Sequence, residues 1–341
     1  MITKRRIRGG GYALGVLVAL GAIVLPQLTS SDFVIRVAMF TALWTAFAVS
    51  WNLFSGYSGY YSFGHGIFFG VGAFSSTWLL VTYDVPTWIG MLIGALLAVV
   101  IALIIGAVTL RLSGLFFGLA MLSVPMALIP VLIWQGYTEI SVPFQPGRLG
   151  YMSYRSVINY YYISLAMAAI SLCASWWVLR SRMGYYLRAI KGSEKTAKSL
   201  GVDTFRYKML GFSLSAFLSA LIGTVYIHST YFFPPQSAFG LNVSVEPLVL
   251  SIVGGAGTLF GPVVGGIVLL PIQEFLRTTF GETLPGIHTL LFGVLLMISI
   301  VYLPKGIYPT IRQFLYSRAQ ESEETDEHST PQTEIPSESE R

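Results

Sequence analysis

Charge is scarce in this sequence. Acidic and basic residues together make up 11% of the 341 residues, against about 25% in soluble domains. A single cysteine, Cys173, excludes an intrachain disulfide framework. Four scattered histidines with that one cysteine give no metal-ligand spacing, and there is no H-E-x-x-H. A G-x-x-x-x-G-K-[ST] phosphate cradle is also missing, which excludes ATP hydrolysis by that route. Gly255-x-Gly257 lacks the strand, spacing and acid of a dinucleotide site and reads as a turn. An enzymatic role has no positive support in the residues, and no metal or cofactor is expected in this chain.

What abounds is apolar. Residues of that kind reach 54% and the mean hydropathy is +0.67. A soluble core could not hide so much, and several apolar runs exceed the roughly 18 residues of a spanning helix. The expected fold class is therefore all-α, a polytopic membrane protein of about ten helices. The spans fall at Tyr12–Leu28, Phe33–Phe54, Phe63–Tyr83, Pro86–Leu110, Gly114–Trp134, Val157–Leu179, Met209–Tyr231, Val243–Ala256, Leu259–Leu276 and Gly286–Leu303. The eighth is short for a bilayer, so a tilted or partly re-entrant segment is expected there. Residues 1–11 are basic, and the first run ends without a small-x-small cleavage site, so an uncleaved first helix is expected.

With the N-terminus inside, 17 bases fall on the cytoplasmic side and four on the other. That bias places both termini in the cytoplasm and makes nucleic-acid binding a poor explanation of the basic excess. The chain divides into a basic N-terminus (1–11), a membrane domain (12–318) containing a basic loop at 180–208, and an acidic tail (319–341). The tail is rich in Glu, Ser, Thr and Pro and is expected to be disordered. Gln135–Ser156 reads as the longest external loop, and Tyr160, Tyr161, Tyr162, Trp176 and Trp177 as interfacial anchors.

Three stretches carry function. In the loop at 180–208, Ser193 suits an N-cap and Glu194 the first turn of a helix. Ala197 and Leu200 make a small apolar stripe, and Gly201 fits a left-handed stop followed by Val202. Two turns, roughly 12 Å, are too short to stand alone. A soluble partner, the membrane domain, or anionic lipid drawn to Lys195 and Lys198 must hold them. The second stretch, Asn52 to Gly72, is glycine-rich and sets Asn52, Ser58, Ser62 and His65 within a break in the helices. Broken backbone at membrane depth survives in protein or beside a water-filled cavity, so the alternatives are tight helix packing and a pore lining. The third runs from Ser244 through Glu246-Pro247 to Gly261-Pro262. A carboxylate in an apolar run is a functional hypothesis by default, although Glu246 equally suits the start of a helix whose first turn holds Pro247. Glu274 and Arg277, one turn apart, are expected to pair.

These stretches resemble the LivM-type permease subunits of branched-chain amino acid ABC importers. NLFSGYSGYYSFGHGIFFGVG is similar to the family's N-L-x-x-G-Y-x-G-x-x-S-x-G-H-x-x-F-x-G-x-G. MGYYLRAIKGSEKTAKSLGVDTFRYK resembles G-R-x-x-x-A-I-R-x-x-E-x-x-A-x-x-L-G, and Ser244–Pro262 matches S-x-E-x-x-x-x-x-x-x-G-G-x-G-T-x-x-G-P. Together they span about 210 residues. Tyr185 stands where the family often has Arg, and EISVPFQPG replaces its T-G-G-x-x-G.

The resemblance implies a ten-helix permease half in a cell or inner membrane. A homologous permease would complete the pore, two ATPase subunits would use ATP, and an external binding protein would deliver substrate. It implies coupling roles for Arg188, Ala189, Glu194, Ala197, Leu200 and Gly201. It also implies pathway roles for Asn52, Gly56, Ser58, Gly59, Ser62, Gly64, His65, Glu246, Gly254, Gly255 and Gly257. Urea and short-amide importers share the scaffold. Two further readings are a stand-alone channel for a small neutral solute and a membrane enzyme using Glu246 and His65 as an acid/base pair.

Overall fold

The computed structural model describes residues 21–29, 31–148, 150–280, 287–303 and 305–314. Helix α1 (residues 21–28) leads into α2 (Asp32–Trp51), which ends in a π-helical turn at Asn52–Gly56. Helices α3 (Gly66–Tyr83), α4 (Thr87–Thr109) and α5 (Leu115–Trp134) follow, then strand β1 (Ile140–Ser141) and α6 (Val157–Arg180). Two short helices, α7 (Arg182–Gly192) and α8 (Glu194–Ser199), precede the long α9 (Thr204–Thr230). Strand β2 (Phe232–Phe233), α10 (Pro235–Ala238), α11 (Leu241–Gly254), α12 (Gly261–Phe280), α13 (Ile287–Tyr302) and α14 (residues 307–314) complete the described chain.

Eight segments of the described residues are long and apolar enough to cross a membrane, so the chain is an all-α polytopic membrane protein. The expected first span falls largely outside the described residues, as do residues 1–11 and the tail at 319–341. The expected tenth span coincides with α13, a helix of 16 residues. Two boundaries differ from the sequence reading. Helix α9 starts at Thr204, inside the expected loop, because the Asp203 side chain caps it by accepting from Arg206 N at 3.1 Å. The short eighth span is lengthened by α10, giving an apolar segment of 20 residues at Pro235–Gly254.

Packing follows residue size. In α4 the buried positions Gly90, Gly94, Ala98, Ala102 and Gly106 recur every fourth residue. This stripe lets α4 lie close to α3 and α9, while Leu92, Leu96, Leu103 and Ile104 face outward as a membrane helix requires. Helices α3 and α9 touch backbone to backbone. A Cβ on Gly72 would lie 2.0 Å from Ala220 O, and one on Gly223 would lie 2.0 Å from Phe69 O. Around that crossing sits an aromatic core of Phe47, Phe54, Phe68, Phe69, Phe117 and Phe212.

At one end of the bundle, hereafter the loop end, the chain carries α7 and α8. At the other, β1 pairs antiparallel with β2, Ile140 opposite Phe233. There Asp84 ends α3 in the left-handed conformation, φ 55°. Its carboxylate takes both terminal nitrogens of Arg148, the Oδ1 contact being 2.8 Å, and accepts from Tyr151 Oη at 2.9 Å. This clamp ties the loop between α5 and α6 to the end of α3.

Candidate functional site

The segment at 180–208 is mostly helix. Gly184 lets α7 fold back on α6, since a Cβ there would sit 2.2 Å from Val178 O. Arg188 turns inward to that junction, donating to Gly184 O at 3.1 Å and Leu179 O at 3.2 Å. Ala189 packs partly against the core. Ser193 caps α8 by accepting from Thr196 N at 3.3 Å. Gly201, φ 82°, stops it, with Gly201 N donating to Lys198 O and Val202 N to Ala197 O, both at 3.1 Å. This is the paired-hydrogen-bond helix stop that a glycine in the left-handed region permits. The expected apolar stripe is not there. Ala197 is 4% exposed and packs inward, whereas Leu200, beyond the last turn, is 79% exposed.

Glu194 does more than meet the helix dipole. Its Oε1 accepts from Lys208 Nζ at 2.7 Å and its Oε2 from Tyr60 Oη. Lys208 is 3% exposed; it also donates to Tyr60 Oη and Leu110 O, each at 3.1 Å, and sits 4.3 Å from the Tyr60 ring centroid. Desolvation opposes ionisation of the Glu194 carboxyl, but the bonds from Lys208 and Tyr60 and the lysine charge outweigh it and hold the carboxyl below the usual carboxylate range. Helix α8 is thereby strapped to α9 and to the break after α2.

That break is closed, not open. Asn52, Ser58, Ser62 and His65 are all buried; the hydrogen bonds they make go to protein, while Ser62 Oγ and His65 Nδ1 make none. Trp51 Nε1 donates to Ser62 O at 2.8 Å, and Ser58 Oγ to Phe54 O at 2.7 Å. The His65 Nε2 lies 2.8 Å from Ser215 Oγ, whose own proton goes to Ser50 O at 2.7 Å; Nε2 is therefore the donor. Gly64 and Gly66 permit contact with Met121 and Ser244, and Ser244 Oγ accepts from Gly66 N at 3.0 Å. Gly59, φ 77°, leaves room for Lys191.

Asn52 joins the first glycine block to the third. Its Nδ2 donates to Thr258 O at 2.8 Å and its Oδ1 accepts from Gly257 N at 2.7 Å. Lys191 Nζ, from α7, donates to Gly56 O at 2.8 Å. Gly257, φ 84°, has space for neither a Cβ nor a shift, with Gly56 O 2.8 Å from the would-be Cβ. Gly254 carries the α11–α12 crossing, its would-be Cβ 1.9 Å from Gly261 O, and Gly255 packs on Pro309. None of these residues lines the two cavities described next.

Glu246 lies in the body of α11, which starts five residues earlier at Leu241, so it does not cap a helix start; Pro247 is inside the helix. It is half-buried and lines a cavity of about 250 Å³ with Trp44, Tyr226, Gln273, Glu274 and Arg277. Gln273 lies close to the Glu246 carboxyl. Glu274 and Arg277 pair as expected, Nε–Oε2 3.0 Å and Nη2–Oε1 2.5 Å. Phe40 also belongs to a second cavity of about 630 Å³, lined by Arg36, Arg155 and Tyr231. No hydrogen bond joins Glu246 to His65 among the described residues.

Sequence reasoning missed Lys208, Tyr60, Lys191 and Gln273. It counted Lys208 only among the bases of the loop at 180–208. The one available signal was its position directly before the apolar run from Met209, where a cation must either reach water or find a partner.

The family model described as "Branched-chain amino acid transport system / permease component" matches residues 33–300. The high-affinity branched-chain amino acid transport system permease protein LivM of Escherichia coli (strain K12) is 25% identical over 321 residues, covering 85% of this chain and 73% of that protein. The probable branched-chain amino acid transport permease protein LivM of Methanocaldococcus jannaschii is 23% identical, covering 82% of this chain and 94% of that protein. The ribose import permease protein RbsC of E. coli K12 is 24% identical over 53% of this chain and 61% of its own length. No solved structure matches the chain.

Proposed function

The chain belongs to the family of branched-chain amino acid transport system permease components, a multi-pass protein of the plasma membrane, and from that membership we propose that it is the permease half of an ATP-driven importer of branched-chain or related hydrophobic amino acids. A homologous permease completes the pore, two ATPase subunits dock at the loop end, and an external binding protein delivers cargo at the other. The loop end is cytoplasmic, as are both termini of the 12–318 membrane domain, on the positive-inside count.

The observation that carries this reading is the strap on α8. A two-turn helix with Lys195, Lys198 and Leu200 exposed at its tip is held to the bundle by Glu194–Lys208. Force applied to α8 by an ATPase passes to α9 through Lys208. Through α7, Lys191 and Gly56, it also reaches the Asn52–Gly257 joint and so α11. Arg188 and Ala189 hold α7 against α6 and with it the start of the coupling segment. The Asn52–His65 and Gly254–Gly257 segments act as packed joints that move when the cavity alternates, and Glu246 faces the pathway. Stacked, bistable joints of this kind are how small shifts become rigid-body motion.

The test is substrate-stimulated ATPase activity of the reconstituted complex with Glu194→Ala and Gly201→Ala. Loss of stimulation with the complex still assembled is expected. Unchanged stimulation and transport with both variants would refute the role of α8.

A further inference from the structure

The cavity beside Glu246 brings together a carboxylate with no ion-pair partner and a buried amide oxygen with no donor. Glu274 and Arg277 neutralise one another in a bidentate pair. No Lys, Arg or His comes within ion-pair distance of Glu246 among the described residues. Gln273 lies beside the Glu246 carboxyl in the same wall, and its own Oε1 is buried and without any partner. The Thr41 hydroxyl gives its proton to Val37 O at 2.8 Å and so faces the cavity as an acceptor as well. The other walls are the rings of Phe40, Trp44 and Tyr226.

A carboxylate without a countercharge and a buried amide oxygen without a donor are both costly in an apolar span. One ligand chemistry relieves both. A primary ammonium carries three N–H donors and a positive charge, and aromatic faces attract that same charge. An anion would meet Glu246 unfavourably. A neutral sugar or amide supplies donors but leaves the carboxylate uncompensated.

We propose that Glu246 and Gln273 form a binding site for the primary ammonium group of the cargo, with the Trp44 and Phe40 rings taking the adjoining apolar group. The inference deepens the importer reading and rests on it for the identity of the cargo. It separates amino acids from urea, short amides and sugars, cargoes a related scaffold could otherwise carry. An ammonium-bearing lipid headgroup has the same chemistry, and the two sources are told apart below.

The binding arm uses isopentylammonium, which has the ammonium and a branched apolar group but no carboxylate. It is added to the assembled complex in lipid-free detergent while Trp44 fluorescence is followed, with Trp44→Phe marking the share of the signal due to that residue. Saturable quenching is expected, weakened at least about tenfold in Glu246→Gln, about 1.4 kcal/mol of binding. Gln273→Leu gives a second variant that removes the buried oxygen and not the charge; it should also weaken quenching. No saturable Trp44 change, or one that survives both variants, overturns the site.

The transport arm measures uptake of labelled leucine by proteoliposomes made only of phosphatidylcholine, which has no primary ammonium. Uptake should fall at least about tenfold in Glu246→Gln. If amine binding depends on Glu246 while leucine uptake does not, the assignment to cargo is overturned and the site serves a headgroup. Should the wild-type complex import urea or ribose and no leucine, the importer's cargo reading fails, and the amine arm alone then decides whether the site exists.

Discussion

The backbone N–H of Gly257 donates to the side-chain oxygen of Asn52 at 2.7 Å, across 205 positions of sequence. The Asn52 Nδ2 in turn donates to Thr258 O at 2.8 Å, so one side chain uses both of its ends to hold the turn between α11 and α12 against the π-helical turn after α2. A backbone N–H and C=O in that turn are thus satisfied by a residue that local sequence would assign to a different helix.

Replacing Asn52 by Leu removes both bonds and leaves the turn's polar groups buried. A loss of about 2–4 kcal/mol is expected from two unsatisfied groups, seen as a lower unfolding temperature in detergent. Asn52→Asp keeps the acceptor for Gly257 and should lose less. Equal behaviour of the two variants would show that the joint does not depend on these bonds.

Two glycines with the same backbone sign should behave differently when changed to alanine. Gly201, φ 82°, has open space around its would-be Cβ, so the change costs only conformational strain, about 1–2 kcal/mol. Gly257, φ 84°, would in addition drive a methyl against Gly56 O and Lys191 Nζ. Thermal unfolding of the two variants should separate them clearly, with Gly257→Ala the more damaged.

Glu194→Ala strands the Lys208 ammonium, 3% exposed, without its carboxylate. Breaking such a pair costs about 3–5 kcal/mol when fully buried. Glu194 is itself about a third exposed, so solvent screening reduces the expected loss to roughly 2–3 kcal/mol. Adding Lys208→Met should restore part of the stability without restoring ATPase coupling. Recovery of coupling in the double variant would mean that the pair only stabilises and does not transmit.

The same pair has a defined pH dependence. The folded Glu194 carboxyl titrates below its ordinary range, so its stabilisation is present in full above the unfolded value of about 4.3 and is lost as pH falls through the lower folded value. Between about pH 6 and about pH 8 the Glu194-dependent part of stability should be flat, and it should shrink only in acid. A Glu194→Gln difference in unfolding temperature that changes across the neutral range would contradict the strap.

Much was legible without the fold. Hydrophobic run length announced the membrane class, and Ser193 and Gly201 marked the two ends of α8, because spanning length, N-caps and left-handed stops are local free energies carried by adjacent residues. Glu246 was recognisable as costly from its apolar neighbours alone. The sequence could not say where each polar group spends its hydrogen bonds. Tertiary packing turned Leu200 out and Ala197 in, buried Lys208 against Glu194 and Tyr60, closed the Asn52–His65 break on protein atoms, and left Glu246 and Gln273 facing a cavity. The physical reason is one of range. Secondary structure is decided within a few residues, but the satisfaction of a buried donor or acceptor depends on which distant backbone arrives beside it, and only the assembled bundle determines that.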